Sequence, residues 1–133
     1  MSKLDQRGVA ALEFCLVAVP LFILMFAIFD FGRYAITMQS LRMLANAGAR
    51  AVMISYNSTN NTYTGCTGDP LPSAAAKQAV APFLYSGGLT PTLNAQLAAG
   101  VLTVTASQPG FTMLMPVWGT VLNAPSASTS IPL

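Results

Sequence analysis

The sequence predicts an α+β fold: a long N-terminal helix carrying a small C-terminal domain of antiparallel strands and a short helix. Three observations predict it. Residues 14–29, "FCLVAVPLFILMFAIF", contain no charge. Apolar side chains then recur at helical spacing as far as Val52, and "VLTVTAS" at 101–107 alternates as a half-buried strand.

A chain of 133 residues has room for one small domain. Its hydrophobic share is 53% against 8% charged, with a mean hydropathy of +0.57. Soluble domains carry about a quarter charged residues, so membrane residence is the first inference. The net charge of +2 is spread over Lys3, Arg7, Arg33, Arg42, Arg50 and Lys77. No cluster among them could neutralise a row of phosphates, which argues against a nucleic-acid partner. Histidine is absent, and Asp5, Glu13, Asp30 and Asp69 are far apart in sequence. Metal cages and general acid/base pairs therefore have few candidates, and neither a metal nor a cofactor is expected. Cys15 lies in the apolar run and Cys66 in a polar loop, so no disulfide within the chain is expected. Buried packing is the plain reading of Cys15. Its neighbours Glu13 and Phe14 do not suit a lipidated cysteine.

With its flanks at 9–12 and 31–34, the uncharged run approaches the roughly 20 residues that a helix needs to cross about 30 Å of hydrocarbon. Arg33 and Tyr34 suit an interfacial end. Pro20 removes one backbone donor and is expected to bend the helix or loosen a turn, which membrane helices tolerate. A cleaved secretory signal is the competing reading. Glu13 interrupts the approach to the apolar core, and the first small-x-small site, Ala45-Asn46-Ala47, lies well beyond it.

Beyond the run, Met38, Leu41, Leu44, Ala45, Gly48, Ala51 and Val52 keep the helical period, with Gln39, Arg42, Asn46 and Arg50 between them. The helix is therefore expected from Val9 to Ile54, on the order of 70 Å long. The small residues of "ANAGARA" allow a close approach, by the chain's own domain or by another helix.

Glu13 is the anomaly. A carboxylate in hydrocarbon costs about 2.5 to 3.5 kcal/mol at the bilayer centre, and the helix dipole returns only about 0.3 to 1 kcal/mol. Hydrolysis between Gly8 and Val9 would create an α-amine, positive near neutral pH, four residues from Glu13. At about 4 Å and an effective dielectric near 20, the two charges attract by about 4 kcal/mol. Within one helix they meet imperfectly, but the Glu13 of one copy could reach the Val9 amine of a neighbour.

These residues carry a resemblance. Gly8 followed by "VAALEF", with Glu13-Phe14, resembles the prepilin-peptidase site of type IV pilin-like proteins. The continuation through Pro20, the Asp30-Phe31-Gly32-Arg33 run and "NAGARA" resembles TadE-like pseudopilins of tight-adherence pilus systems, over roughly residues 7–52. The closing "VLTVTASQPGFTMLMPVWG" and "APSASTSIP" are more distantly similar to that family's terminal strands. TadF-like and TadG-like relatives share the N-terminal pattern. TadG-like chains are usually much longer, so a TadF-like role stays open beside the TadE-like one.

The resemblance implies a cytoplasmic leader, 1–8, removed by prepilin peptidase after Gly8, where the absence of a side chain suits a tight cleavage site. A long helix, 9–56, would span the bacterial inner membrane in its first half, and an exported α+β domain, 57–133, would be periplasmic. Phe14 and Pro20 would shape the motif and the helix. The implied partners are prepilin peptidase, other pilin-like subunits, the pilus assembly platform and the lipid bilayer. The implied role is that of a minor structural subunit in the assembly or initiation of a tight-adherence pilus or a related type II-like secretion filament, since major pilins are little more than leader and helix. The alternative is an uncleaved single-pass anchor whose exported domain binds another envelope component. An enzyme is not expected, because no Ser, Cys or acid has a recognisable base or metal partner. By charge alone, Arg33, Arg42 and Arg50 after the span outnumber Lys3 and Arg7 before it, so the cleavage motif, not the positive-inside count, sets the expected topology. Asp30 and Arg33, one turn apart, are expected either to pair at the outer interface or to anchor there independently.

In the exported part, the polar "YNSTNNTYTGCTGDPLP" ends the helix. It contains two glycosylation-like sequons, at 57–59 and 60–62, that a bacterial host would usually ignore. Ser73 is expected to cap a short helix through "AAAKQAVA" that Pro82 ends. Gln108-Pro109-Gly110 reads as a turn, and a second strand is expected over 127–131. The apolar "FTMLMPVWGTVL" between them is expected to be buried, because so small a domain needs its apolar residues. The alternative is an exposed patch.

Overall fold

The computed structural model describes the backbone of residues 4–57, 62–63 and 66–133, and the side chains of 8–55 and 66–133. Residues 1–3 of the expected leader, residues 58–61 of the two sequons, and residues 64–65 lie outside the described residues.

Helix α1 runs over Leu4–Ile54, 51 residues, or about 75 Å. It begins five residues before the expected start at Val9 and continues through Pro20. Along residues 8–29 every side chain is exposed except Ala18 and Ala27, which are half-buried. From Asp30 onward one face is covered. Leu41, Leu44, Ala45, Ala49 and Val52 are buried, the i, i+3, i+4 stripe of an amphipathic helix. Apolar on all sides in its first half and on one stripe in its second, the helix suits two different surroundings along its length.

Two short strands, β1 (Tyr56–Asn57) and β2 (Thr62–Tyr63), pair antiparallel after the helix. Helix α2 (Ala74–Val80) follows, and the Ser73 hydroxyl caps it by accepting from the Ala76 amide at 3.4 Å. Pro82 cannot extend α2 and opens a 3-10 segment, Pro82–Gly88. Three antiparallel strands, β3 (Thr92–Ala98), β4 (Val101–Ser107) and β5 (Ser126–Pro132), form a sheet in that order.

The sheet lies across the second half of α1. The predicted alternation in β4 is observed, with Leu102, Val104 and Ala106 fully buried against the helix. Leu93 and Ala95 of β3 and Leu84 complete the core. Each such leucine contributes about 1.5 to 3 kcal/mol by leaving water. Close approach depends on Gly48, where a Cβ would meet Leu93 Cδ2 at 3.0 Å and both Pro70 Cγ and Val104 Cγ1 at 3.1 Å. Thr129 of β5 donates its hydroxyl to Asn46 Oδ1 at 2.7 Å, tying the far strand to the helix.

β3 was not among the expected strands. It pairs with β4 along its whole length, from Thr92 opposite Ser107 to Ala98 opposite Val101. Its outer edge bridges to Gly68, whose amide and carbonyl both bond Ala95. The covering loop is tethered by Asp69, which accepts from the Leu71 amide at 3.0 Å and pairs with the buried Lys77 ammonium of α2.

Candidate functional site

β4 and β5 are not joined by a tight turn. Between Ser107 and Ser126, which face each other in the register, residues 108–125 leave the sheet and return. Apart from a 3-10 turn at Pro116–Trp118 this segment is irregular, and irregular loops longer than about 12–15 residues are usually functional. This one is braced internally. The Gln108 amide donates to Pro125 O, the Ala124 amide to Phe111 O at 3.0 Å, and the Met113 amide to Asn123 Oδ1 at 3.0 Å. Gln108 is buried, and its Nε2 donates to Leu84 O at 2.8 Å. The expected turn at Gln108-Pro109-Gly110 is present, closed by the Phe111 amide on Gln108 O.

Asp30 receives the loop. Only 2% of its side chain is exposed, and its carboxylate accepts the Leu114 amide at 3.2 Å on Oδ1 and 3.0 Å on Oδ2. The Met115 amide adds a bond to Oδ2 at 3.0 Å. Arg33 lies 3.8 Å from Asp30 Oδ1, so the two expected partners do meet. Their contact is the lesser part of the arrangement, because the Arg33 guanidinium also donates to Thr112 O at 3.3 Å and stacks over the Phe111 ring, 5.0 Å from its centroid. A buried carboxylate needs such donors to offset its desolvation, and backbone amides supply most of them. Asp30 and Arg33 are thus a clamp on residues 111–115.

Aromatic rings surround the clamp. Phe31 lies 6.4 Å from Trp118 and 6.2 Å from Tyr34, and Tyr34 lies 6.3 Å from Phe111. The expected burial of "FTMLMPVWGTVL" is overturned beyond Phe111. Phe111 is buried, but Leu114 is 74% exposed, Val117 69% and Val121 88%. The core is filled by β3, β4, Ala81 and Leu84, and the helix stripe, so the loop's apolar side chains are not needed there.

The remaining predicted residues lie at the other end of α1. Gly8, Val9, Glu13, Phe14 and Cys15 are all exposed, and a Cβ on Gly8 would meet nothing within 4 Å. Glu13 and Asp30 are separated by the uncharged part of the helix, and Asp69 lies in the C-terminal domain on Lys77. Cys66 packs against the core and Cys15 lies on the uncovered half of α1, so the two thiols belong to different halves of the molecule.

Fold and site together define a small α+β domain clamped to one half of a single long helix, whose other half is long and apolar enough to cross a membrane. Residues 8–50 match the family model described as TadE-like protein, so the helix over those residues is similar to TadE-like proteins. The match begins at Gly8 and includes Glu13, Pro20, Asp30, Arg33 and Gly48. No curated protein and no solved structure gives a significant match.

Proposed function

We propose that the chain is a minor pilin-like subunit that prepilin peptidase cuts between Gly8 and Val9, and that it takes part in assembling or initiating a tight-adherence pilus from the bacterial inner membrane. The observation that supports this best is the TadE-like match over residues 8–50, which opens at the scissile glycine. The uncovered half of α1 adds to it, since the chain's own domain reaches only its end, where Trp118 lies beside Leu24, Ala27 and Ile28, and leaves the rest for lipid and neighbouring helices.

Gly8 and Val9 lie near the start of α1 and are open to solvent. Glycine costs about 1 kcal/mol relative to alanine inside a helix, so this turn opens more readily than its neighbours for a peptidase. Cutting leaves a charged amine on Val9, one helical turn from Glu13. In assembly, the Glu13 of one subunit meets the Val9 amine of the next. That pairing relieves both groups of an unpaired charge in the apolar layer. Prepilin peptidase, other pilin-like subunits and the assembly platform are the partners in this reading. The leader is cytoplasmic and the α+β domain periplasmic.

The test is Glu13→Val in the native host. The variant is expected to be processed and inserted normally but to assemble poorly, read as pilus yield. Normal piliation with this variant would remove the proposed contact.

A further inference from the structure

The loop tip sits at a definite height on α1. Asp30 holds the amides of Leu114 and Met115, so the tip lies where the uncharged run 14–29 ends. Trp118 reaches further down. With Leu24, Ala27, Ile28, Phe31 and Gly32 it lines an open apolar groove along the helix. Leu24 is about 9 Å below Asp30 at 1.5 Å per residue. A hydrocarbon layer of about 30 Å that starts near Val9 ends about 20 residues on, close to Phe29. The groove then lies within the outer leaflet, and the tip at its headgroup boundary.

The chemistry of the tip agrees with that depth. Residues 108–125 contain no charged side chain. Leu114, Val117 and Val121 are mostly exposed, and so are most apolar side chains of residues 14–29 on the helix. The indole Nε1 of Trp118 is covered and has no hydrogen-bond partner among the described residues, so the part of that side chain left exposed is hydrocarbon. Tyr34 and Arg33, beside it on α1, are the residue types that sit at a membrane interface.

We propose that residues 114–121 form a membrane-seated loop: the tip enters the outer leaflet of the bilayer that α1 crosses, and lipid acyl chain fills the groove between Trp118 and the helix. This rests on the membrane-spanning reading of α1. The loop gives the exported domain a second attachment, which fixes its tilt against the bilayer and holds it at the membrane surface. A subunit leaving the bilayer for a filament must withdraw this loop as well as the helix.

Trp118 is the only tryptophan, so its emission reports the loop without labelling. The full chain is reconstituted in phosphatidylethanolamine and phosphatidylglycerol vesicles, some containing phosphatidylcholine brominated at carbons 6 and 7 or at carbons 11 and 12. The chain is expected to float with the vesicles and to show blue-shifted emission. Shallow bromines should quench it about twofold, deeper bromines less, and aqueous iodide weakly. The triple variant Leu114→Ser, Val117→Ser, Val121→Ser removes no core residue and should lower the bromine quenching while raising access to iodide. A chain that floats but whose emission ignores both bromine positions overturns the loop proposal while leaving α1 in the membrane. Blue-shifted emission insensitive to bromine and iodide alike also overturns it, because protein, such as the helix of a second copy, would then cover the tip. A chain that does not float overturns the membrane reading of α1 together with the loop.

Discussion

The carboxylate of Asp30 accepts the backbone N–H of Leu114 at 3.0 Å, across 84 residues of chain. This bond and its neighbour to Met115 convert an acid near the end of an apolar run into the fastening between helix and domain. Breaking it leaves backbone amides without their acceptor, at about 1 to 3 kcal/mol each. Asp30→Ala is therefore expected to cost about 3 kcal/mol in stability and to free the loop. Hydrogen exchange in detergent micelles should show lost protection at the Leu114 and Met115 amides, with β4 still protected. Unchanged exchange at both amides would contradict the clamp. Arg33→Ala should cost less, since that side chain is 38% exposed and its contribution is screened.

Gly48 sets the distance between helix and sheet. Alanine there gains helix propensity of about 1 kcal/mol but crowds Leu93, Pro70 and Val104 at 3.0 to 3.1 Å, so the two effects nearly cancel. Valine adds bulk that those neighbours cannot yield to, and Gly48→Val is expected to cost about 2 kcal/mol. Denaturant titration followed by Trp118 emission measures both. A valine variant as stable as the parent would mean that the sheet does not press on this turn.

Ala99 adopts φ 51° and Gly100 φ 74° in the two-residue turn between β3 and β4. Positive φ at both positions is the type I′ pattern, which favours Asn-Gly, and alanine is strained there by about 1 kcal/mol. Ala99→Asn is expected to raise stability by up to about 1 kcal/mol without altering assembly. A loss of stability in the same titration would count against the turn type.

That turn also explains what the sequence concealed. An Ala-Gly pair is a weak hairpin signal, and β3 includes Asn94 and Ala95, both poor strand formers. The strand exists because it pairs with β4 along its length and drops Leu93 and Ala95 into the core. The helix, its buried stripe, the α2 cap at Ser73 and the alternation in β4 were legible because periodicity and capping are local. The Asp30 to Arg33 spacing was legible too. The role of that pair was not, because its main partners are backbone amides far along the chain, and no local pattern marks them. The 111–122 stretch was misread for a related reason: an exposed apolar run has the composition of a core segment.

Gly8 is predicted to matter for processing alone. It touches nothing that a Cβ would displace, so Gly8→Phe should leave the fold and the membrane helix intact while uncut chain accumulates, visible as a mass difference on intact protein. Normal processing of this variant would detach the glycine from the proposed cut.

The central claim is that the mature chain begins at Val9, with a charged amine placed to meet Glu13. Intact mass together with N-terminal sequencing of the chain purified from native membranes tests it most directly. The account predicts a terminus at Val9. A terminus at Met1, in a host whose prepilin peptidase is active, would contradict it and leave the protein an uncleaved single-pass anchor.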